Sequence, residues 1–305
     1  MRSEVLAAGT TMPERERADR AVARRALRDG LIGVVIFAGS LPATRVAVAD
    51  LDPFFVTAFR AGAAGLTALG LLALLRQPAP GRRDLGALAL VALGVVLGWP
   101  LCTALALRTV TAAHGTVTVA CLPLATALFG VWRGSERPRR AFWLFSGLGS
   151  AIVAGFALRQ GGGRLGAGDA WLFLGMVLCA LGYAEGARLA RRLGGWQVVA
   201  WALVLSLPVS LPAAWLLRPG GWAGVGLPAL ASLAYVSLFS MLIGFVFWYR
   251  GLARGGIAAV GQVQLLQPFF SLILAGLVLG EPVDAALVLA CAGVVATVAA
   301  AKRFA

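Results

Sequence analysis

The feature that most constrains this chain is a series of ten apolar runs, separated by short stretches rich in Arg, Pro and Gly. Most runs approach the ~20 residues that a helix needs to cross the hydrocarbon of a bilayer. Transmembrane strands would be half as long and would alternate in polarity, which these runs do not. The sequence therefore predicts ten transmembrane helices. They lie near residues 30–49, 53–75, 85–107, 110–132, 141–158, 170–190, 196–217, 228–250, 257–279 and 284–301.

Composition excludes the soluble classes of protein. Hydrophobic residues make up 60% of the 305 residues and charged residues 13%, against about 45–50% and about 25% in soluble domains. The net charge of +14 does not indicate nucleic-acid binding, because the arginines cluster between the apolar runs. The four cysteines lie inside apolar runs without a CxxC pair, so we expect no metal site and no cofactor. The sequence predicts an all-α polytopic membrane protein.

The distribution of cations predicts its orientation. With residues 1–29 as a basic cytosolic tail, 21 of the 27 cationic residues fall on the cytosolic side and five on the other. Positively charged loops of membrane proteins are retained on the cytosolic side. We therefore expect both termini, including residues 302–305, in the cytosol, and the protein in the plasma (inner) membrane. The basic face would then contact anionic lipid headgroups.

The chain also contains an internal repeat. Pro123 precedes Glu136 by 13 residues, and Pro268 precedes Glu281 by 13 residues. A glycine precedes an arginine by ten residues in both halves, at Gly98–Arg108 and Gly244–Arg254. The offset between the copies stays at 145 or 146, which chance matching of apolar sequence would not maintain.

The repeat predicts two five-helix halves, residues 30–158 and 170–301, joined by an external linker at 159–169. Because five is odd, the second half enters the membrane from the opposite side. The predicted fold is thus ten transmembrane helices in a 5+5 inverted-topology repeat, an architecture typical of secondary transporters.

Two stretches resemble the EamA family of the drug/metabolite transporter superfamily: LGYAEGARLARRLGG (181–195) and YRGLARGGIAAVGQVQLLQPFFSLILAGLVLGEP (249–282). The resemblance covers about residues 30–301 and includes an arginine in the second helix. The first copy departs from the family's closing LGE, because Arg-Gly-Ser-Glu stands at 133–136. The resemblance implies a secondary exporter of small metabolites, commonly amino acids or their relatives, that works by alternating access.

Two other classes of function remain open as alternatives. An intramembrane enzyme acting on lipid would need an HExxH motif, paired membrane aspartates or a His/Asp/Cys cluster, and the sequence has none of these. A channel usually shows a charged ring or a filter segment, and the sequence shows no such segment. A non-transporting scaffold would not need matched prolines or a polar ninth helix. Close small-residue spacing at Gly147, Ala151 and Gly155 allows tight packing within the chain or a homodimer face.

Matched prolines and a polar stripe mark one candidate pathway. Pro123 and Pro268 occupy corresponding positions near mid-helix, where each frees a backbone carbonyl. Gln264, Gln267, Pro268 and Ser271 share one face of the ninth helix. Buried amides need partners, so this face meets either a wet cavity or another helix through interhelical hydrogen bonds.

Four further residues are candidates because polar side chains are costly in hydrocarbon. Arg60 would anchor a substrate carboxylate or pair with Asp50 or Asp52. Glu185 would bind protons or a substrate amine, or pair with Arg188 and Arg192. His114, the only histidine, would either take part in proton coupling or ligand binding or make a structural hydrogen bond. Tyr183 would line the pathway or belong to the interfacial belt.

Overall fold

The computed structural model describes residues 14–133, 139–160, 165–255 and 262–304, and within those ranges it contains helices and no strand. The predicted all-helical fold is confirmed for these residues. Two π-helices, Ala92–Gly98 and Tyr235–Ile243, join α4 to α5 and α11 to α12, and the 3₁₀-helix Gln262–Leu266 precedes α13. The α-helices are α1 (Glu14–Ala38), α2 (Ser40–Asp50), α3 (Pro53–Leu74), α4 (Arg82–Val91), α5 (Trp99–Ala106), α6 (Ala112–Ala120), α7 (Leu122–Arg133), α8 (Arg140–Gln160), α9 (Ala167–Leu193), α10 (Gly195–Leu216), α11 (Leu227–Ala234), α12 (Gly244–Gly255), α13 (Gln267–Leu279) and α14 (Ala285–Lys302).

Within the part of the chain that the structure describes, six helical stretches are long and apolar enough to cross a membrane, which supports a multi-pass membrane protein. They are Ala21–Asp50, Pro53–Leu74, Arg82–Ala106, Ala167–Ala190, Gly195–Leu216 and Leu227–Trp248. Four shorter apolar helices fall in the other predicted segments: Ala112–Thr126, Arg140–Phe156, Gln267–Leu279 and Ala285–Ala301.

The first helix begins earlier than the hydropathy pattern predicts. We expected helix from residue 30, yet α1 begins at Glu14 and continues without a break to Ala38. Residues 14–29 are rich in Ala, Arg and Glu, which have high helix propensity, and include no proline or glycine. Ala26 and Asp29 are buried, so the part of α1 that precedes the apolar run packs against the rest of the protein.

Several helix contacts recur when the two halves of the chain are exchanged. Helix α1 of the first half packs along α12 of the second half. In the exchanged arrangement, α9 of the second half packs along α4 and α5 of the first half. Three further close pairs join equivalent helices of the two halves: α3 packs on α10, α8 on α14, and α6 on α13. The two halves therefore form one intertwined bundle.

Glycines permit the closest of these approaches. A Cβ on Gly33 in α1 would lie 3.0 Å from the Gly244 carbonyl oxygen in α12. In the equivalent pair of helices, a Cβ on Gly94 would collide with the Leu178 carbonyl oxygen of α9. Small residues at helix crossings allow this backbone contact in a bilayer, where dispersion forces drive packing.

The helix irregularities also occur at matched places in the two halves. The first π-helix ends at Gly98 and the second ends immediately before Gly244. Both α7 and α13 begin one residue before the matched prolines, Pro123 and Pro268. Proline lacks the amide hydrogen that an uninterrupted helix would use, so it lies in the first turn of each new helix.

Candidate functional site

A cavity of about 50 Å³ lies between the two halves of the bundle. Both halves line it. The first half contributes Phe37, Ser40, Leu41, Arg60, Val95, Trp99, Pro100, Val119 and Leu122. The second half contributes Tyr183, Ser240, Met241, Phe245 and Gln267.

The interrupted parts of the helices meet at this cavity. The first π-helix contributes Val95, and the second contributes Ser240 and Met241. The junction between α6 and α7 contributes Leu122, and Gln267 begins α13. Wide or broken helical turns expose backbone groups, which a membrane protein tolerates only against other protein or a cavity.

The break between α1 and α2 also faces the cavity, and a side chain from the second half satisfies it. Pro42 has no amide hydrogen, so the Ala38 carbonyl four residues earlier lacks its helical partner. The Ser271 hydroxyl of α13 donates to that oxygen over 2.9 Å. Ser271 is 3% exposed, so this bond is made away from solvent.

Two more contacts hold the same break. The Tyr235 hydroxyl donates to the Ile36 carbonyl oxygen at 2.6 Å, and the Ser240 hydroxyl donates to that of Ser40 at 3.0 Å. A Cβ at position 39 would collide with the Tyr235 phenol, which explains Gly39 at the break. The shape of the first helix at the cavity is therefore set by the second half of the chain.

Arg60 is the charged residue of the cavity wall. It lies in α3 and is 3% exposed. Its Nη2 lies 3.9 Å from the Met241 sulfur, and its Nε has no hydrogen-bond partner among the described residues. A buried cation in this state lacks the compensation that protein interiors normally provide.

The two acids considered as structural partners of Arg60 are engaged elsewhere. Asp52 caps α3 by accepting from the Phe54 and Phe55 amides at 2.8 and 3.2 Å. The Asp50 carboxylate accepts from the Gly226 amide at 2.9 Å.

The other ninth-helix candidates separate into different roles. Gln267 lines the cavity, as does Tyr183 of α9. Ser271 makes the bond to Ala38, which corresponds to the interhelical alternative for that residue. Pro268 is buried in the first turn of α13. Pro123 stands in the first turn of α7 and Gln264 in the 3₁₀-helix, and their side chains lie outside the described parts of the structure.

His114 lies away from the cavity, at the end of the bundle where α6 begins. Its Nε2 is 2.8 Å from Asp169 Oδ1 of α9, 55 residues away in the chain, and its ring contacts Phe156. Beside it, the Glu281 carboxylate accepts from the Ala112 and Ala113 amides at 2.9 and 2.8 Å. A carboxylate at a helix N-terminus satisfies unpaired amides and the helix dipole. This end is thus closed by contacts between the two halves.

Glu185 does not line the cavity either. It is 2% exposed, and its carboxylate lies 3.4 Å from Arg188 Nη1, one turn further along α9. Arg192, which we considered as a second partner, pairs with Asp84 of α4. Glu185 therefore has the intrahelical ion pair considered as its structural alternative.

Several cavity residues carry no signal in the sequence. Ser240 and Met241 lie within an apolar run, and both line the cavity from the second π-helix. Phe37 is likewise one apolar residue among many. Pro42 could have indicated the break in the first helix, since proline within a helix commonly marks one.

The internal repeat has a counterpart among known proteins. The profile of the EamA-like transporter family matches residues 30–158 and, a second time, residues 166–301. The chain belongs to the EamA-like transporter family. This membership makes it a member of a membrane transporter family and points away from an enzyme.

Similar proteins agree with this assignment. A Bacillus subtilis (strain 168) protein named "Uncharacterized transporter YdeK" is 63% identical over 91% of this chain and 96% of its own length. A Synechocystis protein named "Uncharacterized transporter sll0355" is 24% identical over 84% of each chain. A solved crystal structure matches with a TM-score of 0.62 and 21% identity, over 92% of this chain and 99% of the other, and so shares the fold.

Proposed function

We propose that this protein is a secondary transporter that exports small metabolites, such as amino acids or related compounds, by alternating access. The observation that carries the proposal is the central cavity: both halves line it, and it lies where their helices are interrupted. Interrupted helices at matched positions of a repeat are the feature that most directly marks a transporter's binding site. Export is the direction implied by the resemblance to the EamA family.

Ten transmembrane helices in a 5+5 inverted repeat are part of the proposal. Helix lies in each of the ten predicted segments, and several helix contacts recur when the halves are exchanged, which supports it. The cation distribution favours cytosolic termini in the plasma membrane, with residues 159–169 as the external linker. On this orientation, α6 begins at the external end of the bundle.

Both ends of the bundle carry polar contacts that a transport cycle would break and remake. At the proposed external end, His114–Asp169 and the Glu281 cap each join one half to the other. At the opposite end, Arg192 pairs with Asp84, and the Gln197 amide donates to Gln77 at 3.0 Å. These contacts also join the two halves. Rocking of one half against the other would open the ends in turn.

A homodimer stays a prediction with one structural correlate. Side chains added at Gly147 and Gly155 of α8 would meet no atom within 4 Å. At those positions this face of α8 therefore packs on none of the described residues, and it is open to lipid or to a second copy.

A resistance screen tests the transport function. Bacteria expressing the protein should survive at least one toxic amino acid or metabolite analogue that kills cells carrying an empty vector. Val119→Trp, which places an indole in the cavity, should abolish that survival. Val209→Trp is the matched control, because Val209 of α10 is 61% exposed on the outer surface of the bundle. Loss of survival with neither variant, at equal abundance, would contradict transport through the cavity.

A further inference from the structure

We propose that the cavity binds a small carboxylate with an apolar body, and that Arg60 is the residue that binds the carboxylate group. This inference rests on the proposed function and names the chemical class of its substrate. Neutral compounds of the same shape then bind more weakly, and cationic compounds are excluded from the site.

The state of Arg60 is the first argument. A guanidinium offers five N–H donors in a planar fork that matches a carboxylate. Here it is almost fully buried, Nε has no partner, and the contact to the Met241 sulfur is long for a hydrogen bond. The site therefore holds unused donors that face an internal cavity.

The charge of the cavity is the second argument. None of the described residues that line it is acidic, and Arg60 alone among them is charged. In a medium of low dielectric constant, a lone positive charge attracts an anion and repels a cation over the whole width of the cavity. A ligand ammonium group would meet only neutral acceptors, such as Ser40, Ser240 and Gln267.

The remaining wall favours a monocarboxylate over an inorganic anion. Phe37, Trp99, Tyr183 and Phe245 present aromatic rings to the cavity. An apolar ligand body would cover those rings, whereas phosphate or sulfate would leave them bare and would bring a second charge without a second cation.

Binding to the purified full-length protein in lipid nanodiscs tests the inference. The probes are two matched sets: phenylacetate with phenylacetamide and phenethylamine, and 3-methylbutanoate with its amide and amine. The readouts are the melting temperature and the quenching of tryptophan fluorescence. We expect the carboxylates to bind about tenfold or more tightly than their amides, which corresponds to one charge-assisted contact. The amines should not bind.

Variants locate the effect. Arg60→Gln should lose the preference for carboxylates, and Arg60→Lys should keep part of it because the charge remains. Arg218→Gln, a change of the same kind outside the cavity, should behave as the wild type. If the Arg60→Gln protein does not fold, the preference of the wild type for carboxylates over amides still tests the inference. Amides or amines that bind as tightly as the carboxylates, or no binding by any probe, would overturn the inference.

The outcome is separable from that for the transport function. If the protein binds carboxylates but confers no resistance and transports no compound, the transport proposal is overturned and the proposed carboxylate site stands. Resistance that persists in Arg60→Gln would overturn the site and leave the transport proposal.

Discussion

The Ser271 hydroxyl donates a hydrogen bond to the Ala38 carbonyl oxygen, 2.9 Å away, across the interface between the two halves of the chain. Pro42 deprives that oxygen of its helical partner, so Ser271 completes a helix to which it does not belong. The break in the first helix and the polar stripe on α13 are therefore parts of one feature of the cavity wall.

This bond predicts an effect on stability. Ser271→Ala should lower the free energy of unfolding by about 1 kcal/mol, the range of buried interhelical hydrogen bonds in membranes. Ser146→Ala is the matched control, because the buried Ser146 hydroxyl has no hydrogen-bond partner in the described structure. Thermal unfolding in detergent measures both. A loss in Ser146→Ala equal to that in Ser271→Ala would show that the bond contributes nothing.

The Glu281 cap predicts a graded series. Glu281→Gln keeps one amide oxygen as an acceptor, whereas Glu281→Ala leaves the Ala112 and Ala113 amides without it. We expect Glu281→Ala to cost roughly 1–2 kcal/mol of stability and Glu281→Gln less. Thermal unfolding of the purified variants gives the order. Equal stability of the wild type and Glu281→Ala would mean that the cap is dispensable.

Glu185 should contribute to structure rather than to transport. Its ion pair with Arg188 and its position outside the cavity wall predict that Glu185→Gln lowers protein abundance and leaves transport per molecule unchanged. Resistance normalised to the amount of inserted protein measures this. If normally inserted Glu185→Gln protein lost uphill transport, Glu185 would belong to the coupling mechanism.

The proposed orientation predicts where reporters fused to the chain will lie. A reporter fused after Lys302 should be cytosolic, and one inserted in the 159–169 loop should be external. Alkaline phosphatase, which is active only outside the cytosol, and a fluorescent protein distinguish the two locations. The opposite location at both sites would show that the topology is the reverse of the proposed one. The same location at both sites would show that the second half crosses the membrane an even number of times, which contradicts five spans per half.

The helical segments could be predicted from the sequence because the thickness of the hydrocarbon core sets the length of each membrane-spanning helix. The apolar runs predicted the helical segments, and the 13-residue spacing from Pro123 and Pro268 predicted equivalent breaks in the two halves. Hydropathy predicts the membrane span from residue 30 but not that the basic residues 14–29 continue the same helix, because a polar helix leaves no apolar signal.

The site was only partly predictable for a physical reason. A polar residue in an apolar run must have a partner, but its position in the sequence does not say which. Arg60 and Gln267 line the cavity, whereas His114 contacts Asp169 through helix packing between residues far apart in the chain. Ser240 could not be predicted as a cavity residue, because its partner Ser40 lies 200 residues away in the chain.

The most direct test of alternating access at the cavity is the accessibility of position 267 from the two sides of the membrane. Gln267→Cys protein in right-side-out and in inverted vesicles is treated with a charged, impermeant thiol reagent. The four native cysteines are buried, so the wild type gives the background, and Ile273→Cys, 56% exposed on the outer surface of the bundle, is the matched control. Our account predicts that position 267 reacts from both sides and that position 273 reacts from neither. Reaction of position 267 from one side alone, or from neither, would contradict it.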